Sequence, residues 1–294
     1  MNLKKLLTTF ACVLCLASAA FSQENPNQTI VASLNNLKYT PKPPKNDVGS
    51  VIGEIATAVL AGQTSKEMVG YEGAVRAAVL KGMSLSYRIR AVDGPLTEEE
   101  MDLPFTVYVD GDISNMTTIT KTEVETYEEK GKKKTRTSTY FRGQVGVTLQ
   151  VKDARNDVVI ASPTFNIHAS DMNWIESSEG AMNNAIKVLS DKVRIAFNDM
   201  FPLTGHILER AGIRNDKQKE VYVDLGTENG IAPGNTLYAY RVKTIGGKYA
   251  KEQLAKLKVK KVEGEEVCFC KVTSHGKELK NALDAGDQII IMTN

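Results

Sequence analysis

Residues 113–148 read ISNMTTITKTEVETYEEKGKKKTRTSTYFRGQVGVT. Two runs rich in threonine, Met116 to Tyr127 and Thr135 to Leu149, flank Glu128-Glu-Lys-Gly131-Lys-Lys-Lys134. Strand-forming runs on either side of a glycine turn predict a long β-hairpin. Alternation places Thr118, Thr120, Thr122 and Thr126 on one face and Lys121, Glu123 and Glu125 on the other. With both faces polar, the distal half, roughly Thr118 to Thr139, has little apolar area to bury and is expected to project into solvent. Its cations, Lys130, Lys132, Lys133, Lys134 and Arg136, lie beside Glu128 and Glu129 and form a candidate partner contact. The competing reading is a solubilising edge.

Upstream, Phe105-Thr-Val-Tyr-Val109 begins a strand and Leu85 to Val92 forms another. A helix is expected from Thr64 or Ser65, with Met68, Tyr71, Val75, Ala78 and Val79 on one side and Gly82 closing it. Before it, Asp47 can cap a helix carrying Val48, Val51, Ile52, Ile55, Ala56, Val59 and Leu60, ended by Gly62. Pro41-Lys-Pro-Pro-Lys45 separates that segment from a first strand at Thr29 to Leu37.

Downstream, Val145, Val147, Leu149 and Val151 alternate, Asp153 to Asp157 turns the chain, and Val158 to Ile167 returns. A helix from about Ser177 to Met200 sets Met182, Ile186, Leu189, Val193, Ala196 and Met200 in a single stripe fit to cover a sheet. The last 90 or so residues change character. Short strands such as Val221 to Leu225, Leu237 to Val242 and Ile289 to Met292 are divided by glycine and proline turns, which argues a small β-barrel. The expected fold is therefore α+β. A mixed sheet covered by helices occupies 23–203 and bears the ribbon at 113–148, and a small barrel occupies 204–294.

The N-terminus begins with Lys4 and Lys5, continues through an apolar run from Leu6 to Ala17, and ends in small residues around Ser22. This is the pattern of a cleaved signal peptide over 1–22, with Ala20 and Ser22 before the cut and Gln23 after it. The apolar run is about 12 residues, short of the roughly 20 that span a bilayer. Neither Cys12 nor Cys15 has the context of a lipidated cysteine, and no later segment reads as a transmembrane helix. A periplasmic or extracellular chain without a lipid anchor is expected. Cleavage takes lysine plus arginine from 37 to 35, against 35 aspartate plus glutamate. A neutral body gives no reason to expect a nucleic-acid or anionic-membrane binder.

Cys268 and Cys270 are the cysteines downstream of the leader and would share one face of a strand, about 6.6 Å apart. A buried reduced pair, an intermolecular bridge and a metal site remain open, and the scattered His168, His206 and His275 do not complete a zinc pattern. No nucleophile elbow, phosphate loop or zinc signature occurs, so neither catalysis nor a cofactor is expected. Asp110 and Asp112 flank Gly111 at a strand end, where a solvated turn is the plain reading. Trp174 with Tyr71 and Tyr140 could line a sugar groove.

Two stretches resemble known envelope families. Phe105 to Ile113, the ribbon, Gln144 to Phe165 with its Asp-Ala-Arg-Asn-Asp-Val-Val-Ile-Ala-Ser core, and the long helix resemble the periplasmic domain of the curli secretion channel and the penicillin-binding-protein activator lipoproteins. Gly205 to Glu209, Val221 to Arg241 and Ala285 to Ile290 are similar to the C-terminal domain of flagellar assembly protein T. That second resemblance implies that the barrel is SH3-like, with Gly226, Gly230, Gly234 and Gly286 as turn glycines. Departures limit what carries over. The ribbon lacks the apolar face that lipid demands, a lipid anchor is missing, and 41–62 looks inserted. The resemblance therefore implies a non-catalytic envelope accessory protein that binds a protein partner or itself. Peptidoglycan or surface-polysaccharide binding is the alternative, and an uncharacterised hydrolase is third.

Mass spectrometry of the chain recovered from its host is expected to find Gln23 at or near the N-terminus. A retained 1–22 segment, or a diacylglyceryl mass on Cys15, would refute the leader.

Overall fold

The computed structural model describes residues 27–39, 63–68 and 70–293. The leader at 1–22, the proline break at 41–45 and the helix expected at 47–62 lie outside them. The chain divides into two compact units, one drawn from Val31–Leu85 and Arg90–Arg194, the other from residues 27–30, Ser86–Ile89 and 195–293.

The elements that build the first unit are β1 (Ile30–Tyr39), β2 (Gln63–Glu67), α1 (Glu72–Ser84), β3 (Ile89–Asp93), α2 (Glu98–Met101), β4 (Thr106–Glu129), β5 (Lys132–Asp153), β6 (Val159–Ala161), β7 (Thr164–Ile167) and α3 (Ser178–Met200). Its sheet runs β3-β1-β4-β5-β6, with β2 added to β4 and β7 to β5. β1 lies parallel to β4, from Val31 opposite Thr106 to Tyr39 opposite Ile113, and β4 and β5 are antiparallel. The β4–β5 register starts at Val107 opposite Asp153 and ends at Glu129 opposite Lys132. One irregularity interrupts it, between Ile113 and Asn115, where Ser114 is an extra residue on β4. Before that bulge the buried positions of β4 are Thr106, Val107, Val109 and Ile113; after it they are Met116 and Thr118.

α3 lays Ala181, Met182, Ala185, Ile186, Leu189 and Val193 inward, as its stripe requires. The stripe then drifts. Phe197 is buried in the last turn, whereas Ala196 and Met200 are only half-buried. A spacing of 3.5 residues slides around a helix that turns every 3.6, so the last two positions leave the face. The Ala181 carbonyl comes so near β5 that a Cβ on Gly143 would sit 2.3 Å from it, and only glycine fits there.

The second unit contains β8 (Thr204–Gly205), β9 (Ile207–Arg214), β10 (Lys217–Val223), β11 (Thr236–Ile245), β12 (Lys248–Val262), β13 (Cys268–Ser274), α4 (Gly276–Asp284) and β14 (Ile289–Thr293). Its sheet order is β8-β14-β11-β12-β13-β10-β9. Leu203, Val221, Val223, Leu237, Leu257, Val259 and Ile291 form its core, and Tyr87 packs against that core. Polar contacts explain why residues 27–30 and 86–89 belong here. Arg88 donates to the carbonyls of Gln28 (3.0 Å) and Pro202 (3.3 Å), and Asn27 exchanges hydrogen bonds with the Thr204 backbone. Burial lowers the Arg88 pKa to about 10, so its carbonyl partners are what offset the desolvation.

The expected α+β architecture is corrected. Of the described residues 52% are strand and 23% helix, in two large sheets of which one is a half-barrel, so the protein is mostly β rather than a helix-covered sheet followed by a small SH3-like barrel. Two local reasons stand out. The helix expected from Thr64 begins only at Glu72, because Gln63–Glu67 pairs antiparallel with Thr117–Lys121 and Gly70 takes φ +90°. Gly82 lies inside α1, which runs on to Ser84, rather than closing it. In the second unit seven strands, not a compact barrel's few, share the sheet, and its order ends on β8 and β9.

Leu189 is fully buried under α3 and Val124 is 65% exposed on the ribbon. In urea titrations Leu189→Ala is expected to cost about 2–5 kcal/mol, while Val124→Ala stays within about 0.5 kcal/mol. Equal losses would refute the burial pattern.

Candidate functional site

The ribbon owes its length to uninterrupted pairing. Residues 122–129 face 132–139 one for one, and the turn consists of Lys130 and Gly131, both left-handed at φ +55° and +73°. Two positive-φ residues make a turn whose twist matches a two-residue hairpin. From Val124 to Thr137 every residue is exposed. Directly opposed residues share a face, so the register sorts the side chains. One face carries Thr122, Val124, Thr126, Thr135, Thr137 and Thr139, with Glu128 and Lys133 at its tip. The other carries Glu125 opposite Arg136, Tyr127 opposite Lys134 and Glu129 opposite Lys132. Lys134 also forms an ion pair with Glu129. The structure thus gathers the five predicted cations at one exposed end, with Lys130 in the turn and the other four on β5.

The strands are also unlike in charge. Residues 122–129 hold Glu123, Glu125, Glu128 and Glu129 and no cation; residues 132–139 hold Lys132, Lys133, Lys134 and Arg136 and no carboxylate. Among the described residues β2 accompanies β4 only as far as Lys121, and β7 accompanies β5 only from Val145, with an isolated bridge from Ile175 to Phe141. Among the described residues both long edges of the outer ribbon are therefore open.

At the ribbon's base the Arg142 guanidinium lies 4.3 Å from the Trp174 ring centroid, and the Lys121 ammonium lies 5.9 Å from it. Arg142 Nε is buried with no hydrogen-bond partner, so the ring face is what it rests on. Thirty-two residues separate the pair, and no linear signal announces it.

In the second unit Gly230, Gly234 and Gly286 take φ of +71°, +93° and +71°, as turn glycines do. Gly226 is extended at φ −139° and is glycine for another reason: a Cβ would meet the Glu265 carbonyl oxygen at 2.2 Å. A cleft of about 360 Å3 opens where α4 begins, rimmed by Lys217, Lys219, His275 and Lys277. α4 itself was not foreseen, although Leu279, Ala282 and Leu283 fall at helical spacing.

Cys268 and Cys270 are fully buried free thiols with sulfurs 3.6 Å apart, opposite Val223 and Val221 on β10. The two thiols are within hydrogen-bond reach and either sulfur can be the donor; that contact, together with burial, pushes the Cys270 pKa up. Among the described residues no group of three or more His, Cys, Asp or Glu side chains is placed to hold a metal ion. Nor is any described helix long and apolar enough to cross a membrane.

No protein-family model matches the chain, and no curated protein matches it. Among solved structures, a putative neuraminyllactose-binding hemagglutinin homolog from Helicobacter pylori matches at TM-score 0.29 and 10% identity, covering 60% of this chain and 84% of its own. A PelC dodecamer from Paraburkholderia phytofirmans matches at TM-score 0.24 and 14% identity, covering 57% of this chain and 90% of its own. At these scores neither likeness bears on fold or function.

The thiol burial has a direct readout. In native buffer, labelling of Cys268 and Cys270 by a disulfide reagent is expected to run at least about a hundredfold slower than in denaturant, because opening must come first. Prompt native labelling would refute the core placement.

Proposed function

We propose that the chain is a secreted, non-catalytic accessory protein of a cell envelope that works by associating with protein, and that the β4–β5 ribbon is its contact. The observation that carries this reading is the exposure of every residue from Val124 to Thr137. A lone two-stranded ribbon is marginal in water, and this one adds nothing to either core. Its use lies at its surface. Cations beside a β-branched polar face suit a protein partner, with arginine and lysine supplying electrostatic steering and the open edges supplying backbone donors and acceptors. The leader-like segment at 1–22 supports delivery to the periplasm or beyond.

The sugar groove suggested by Trp174 gains no support, since Arg142 lies against that ring. Catalysis gains none from the pair Cys268 and Cys270, whose thiols lie in the core.

The test joins Lys121 directly to its register partner Tyr140 through an Asn-Gly turn in place of residues 122–139. The melting temperature is expected to stay within about 3 °C, since the groups removed are exposed or half-buried and none lies in a core. Crosslinking in the native envelope is expected to capture a protein with the parent chain and to lose it with the shortened one. Equal capture by both, or enrichment on purified peptidoglycan without any protein, would overturn the reading.

A further inference from the structure

We infer that the ribbon's partner is the ribbon of a second copy of this chain, added head to tail so that the cationic β5 edge of one copy lies along the acidic β4 edge of the next. The inference rests on the reading of the ribbon as a contact and names its occupant.

The argument starts from the charge count by strand. Four carboxylates and no cation occupy 122–129, and four cations and no carboxylate occupy 132–139. Within one hairpin each charged strand has an opposite neighbour on one side only, because both outer edges are open among the described residues. Neighbouring strands are about 4.8 Å apart, well inside the Debye length of about 8 Å at physiological salt. The charges of a strand added at either edge are therefore felt.

Three pairings of two copies can be compared. β4 against β4 sets four carboxylates beside four carboxylates. β5 against β5 sets four cations beside four cations. β5 against β4 gives both strands at the new contact opposite neighbours on either side and sets no like-charged strands together. The strands also alternate in direction along such a row, β4-β5-β4-β5, so the added pairing is antiparallel and all hairpins point the same way. The charge pattern selects the heterologous contact, which closes into a ring or continues as a filament according to the rotation between copies.

A plain solubilising edge accounts for less. Edge strands are blunted by lysine, proline, bulges or short length. β5 carries lysines, but residues 122–129 of β4 contain no lysine, proline or bulge and remain open for eight residues. Lysines repel a second lysine edge and attract this one.

The experiment measures the mass of the full purified chain by sedimentation velocity, at low and high salt. The parent is expected to exceed one copy and to dissociate as salt rises. Reversing β5 alone (Lys132→Glu, Lys133→Glu, Lys134→Glu, Arg136→Glu) is expected to weaken association about tenfold or more. That variant also sets like charges within its own hairpin, so a second one restores the hairpin by adding Glu123→Lys, Glu125→Lys, Glu128→Lys and Glu129→Lys. This exchanged chain is expected to assemble with itself and to sort away from the parent in mixtures. A monomeric parent, unchanged assembly of the β5 reversal, or free mixing of parent and exchanged chains would each overturn the inference. A monomeric parent that still captures a different envelope protein would leave the broader reading standing.

Discussion

The antiparallel register between β4 and β5 is the constraint on which the first unit depends. It runs from Val107 opposite Asp153 to Glu129 opposite Lys132, and every other strand of that sheet attaches to it or to a strand already attached. Its inner half is a core element, with Val109, Ile113, Val147, Leu149 and Val151 fully buried. Its outer half has no core to serve. One ladder of hydrogen bonds, broken only at the Ser114 bulge, thus joins a region held by the hydrophobic effect to a region held by cross-strand pairs alone. The inner half, by fixing the register, decides which side chains of the outer half face one another.

The second unit solves a different problem. Its sheet gathers Val221, Val223, Leu257, Val259 and both cysteines on one buried side, and α4 adds Leu279 and Ala282. The cysteines behave as small apolar residues whose thiols touch. Charged side chains stay at the rim, where Arg241 pairs with Glu252 and Asp287 and Lys280 pairs with Asp216 and Asp284. These exposed pairs contribute little each; the apolar side of the sheet does most of the stabilising.

How much of this was legible in sequence follows from how local each signal is. The hairpin was readable because β-branched alternation on both sides of Gly131 is a short-range pattern, and α3 because its stripe, from Met182 to Met200, spans about five turns. The two cysteines were placed on one face by their spacing alone. β2 was not readable: Gln63–Glu67 is polar and without periodicity, and only its pairing with Thr117–Lys121 makes it a strand. The apolar spacing from Met68 onward drew the expected helix back across it. The small SH3-like barrel failed for a related reason. Turn glycines such as Gly230 and Gly234 mark where strands end, but not how many strands join one sheet. The Arg142–Trp174 stack depends on tertiary placement and has no counterpart in the linear pattern.

Ser114 gives the ribbon a property that its own residues do not encode. By inserting one position into β4 alone, the bulge shifts the phase of that strand: the buried apolar residues before it, Val107, Val109 and Ile113, are odd-numbered, and Met116 and Thr118 after it are even-numbered. Without Ser114 the ladder would run on unbroken, with Ile113 opposite Val147 and Asn115 opposite Gly146, and every partner farther out would keep its place. The bulge thus absorbs one residue of length in the body, some 50 Å of strand from the tip at about 3.3 Å per residue. A change of chain length there is uncoupled from the chemistry displayed at the far end, which can stay the same while the body varies.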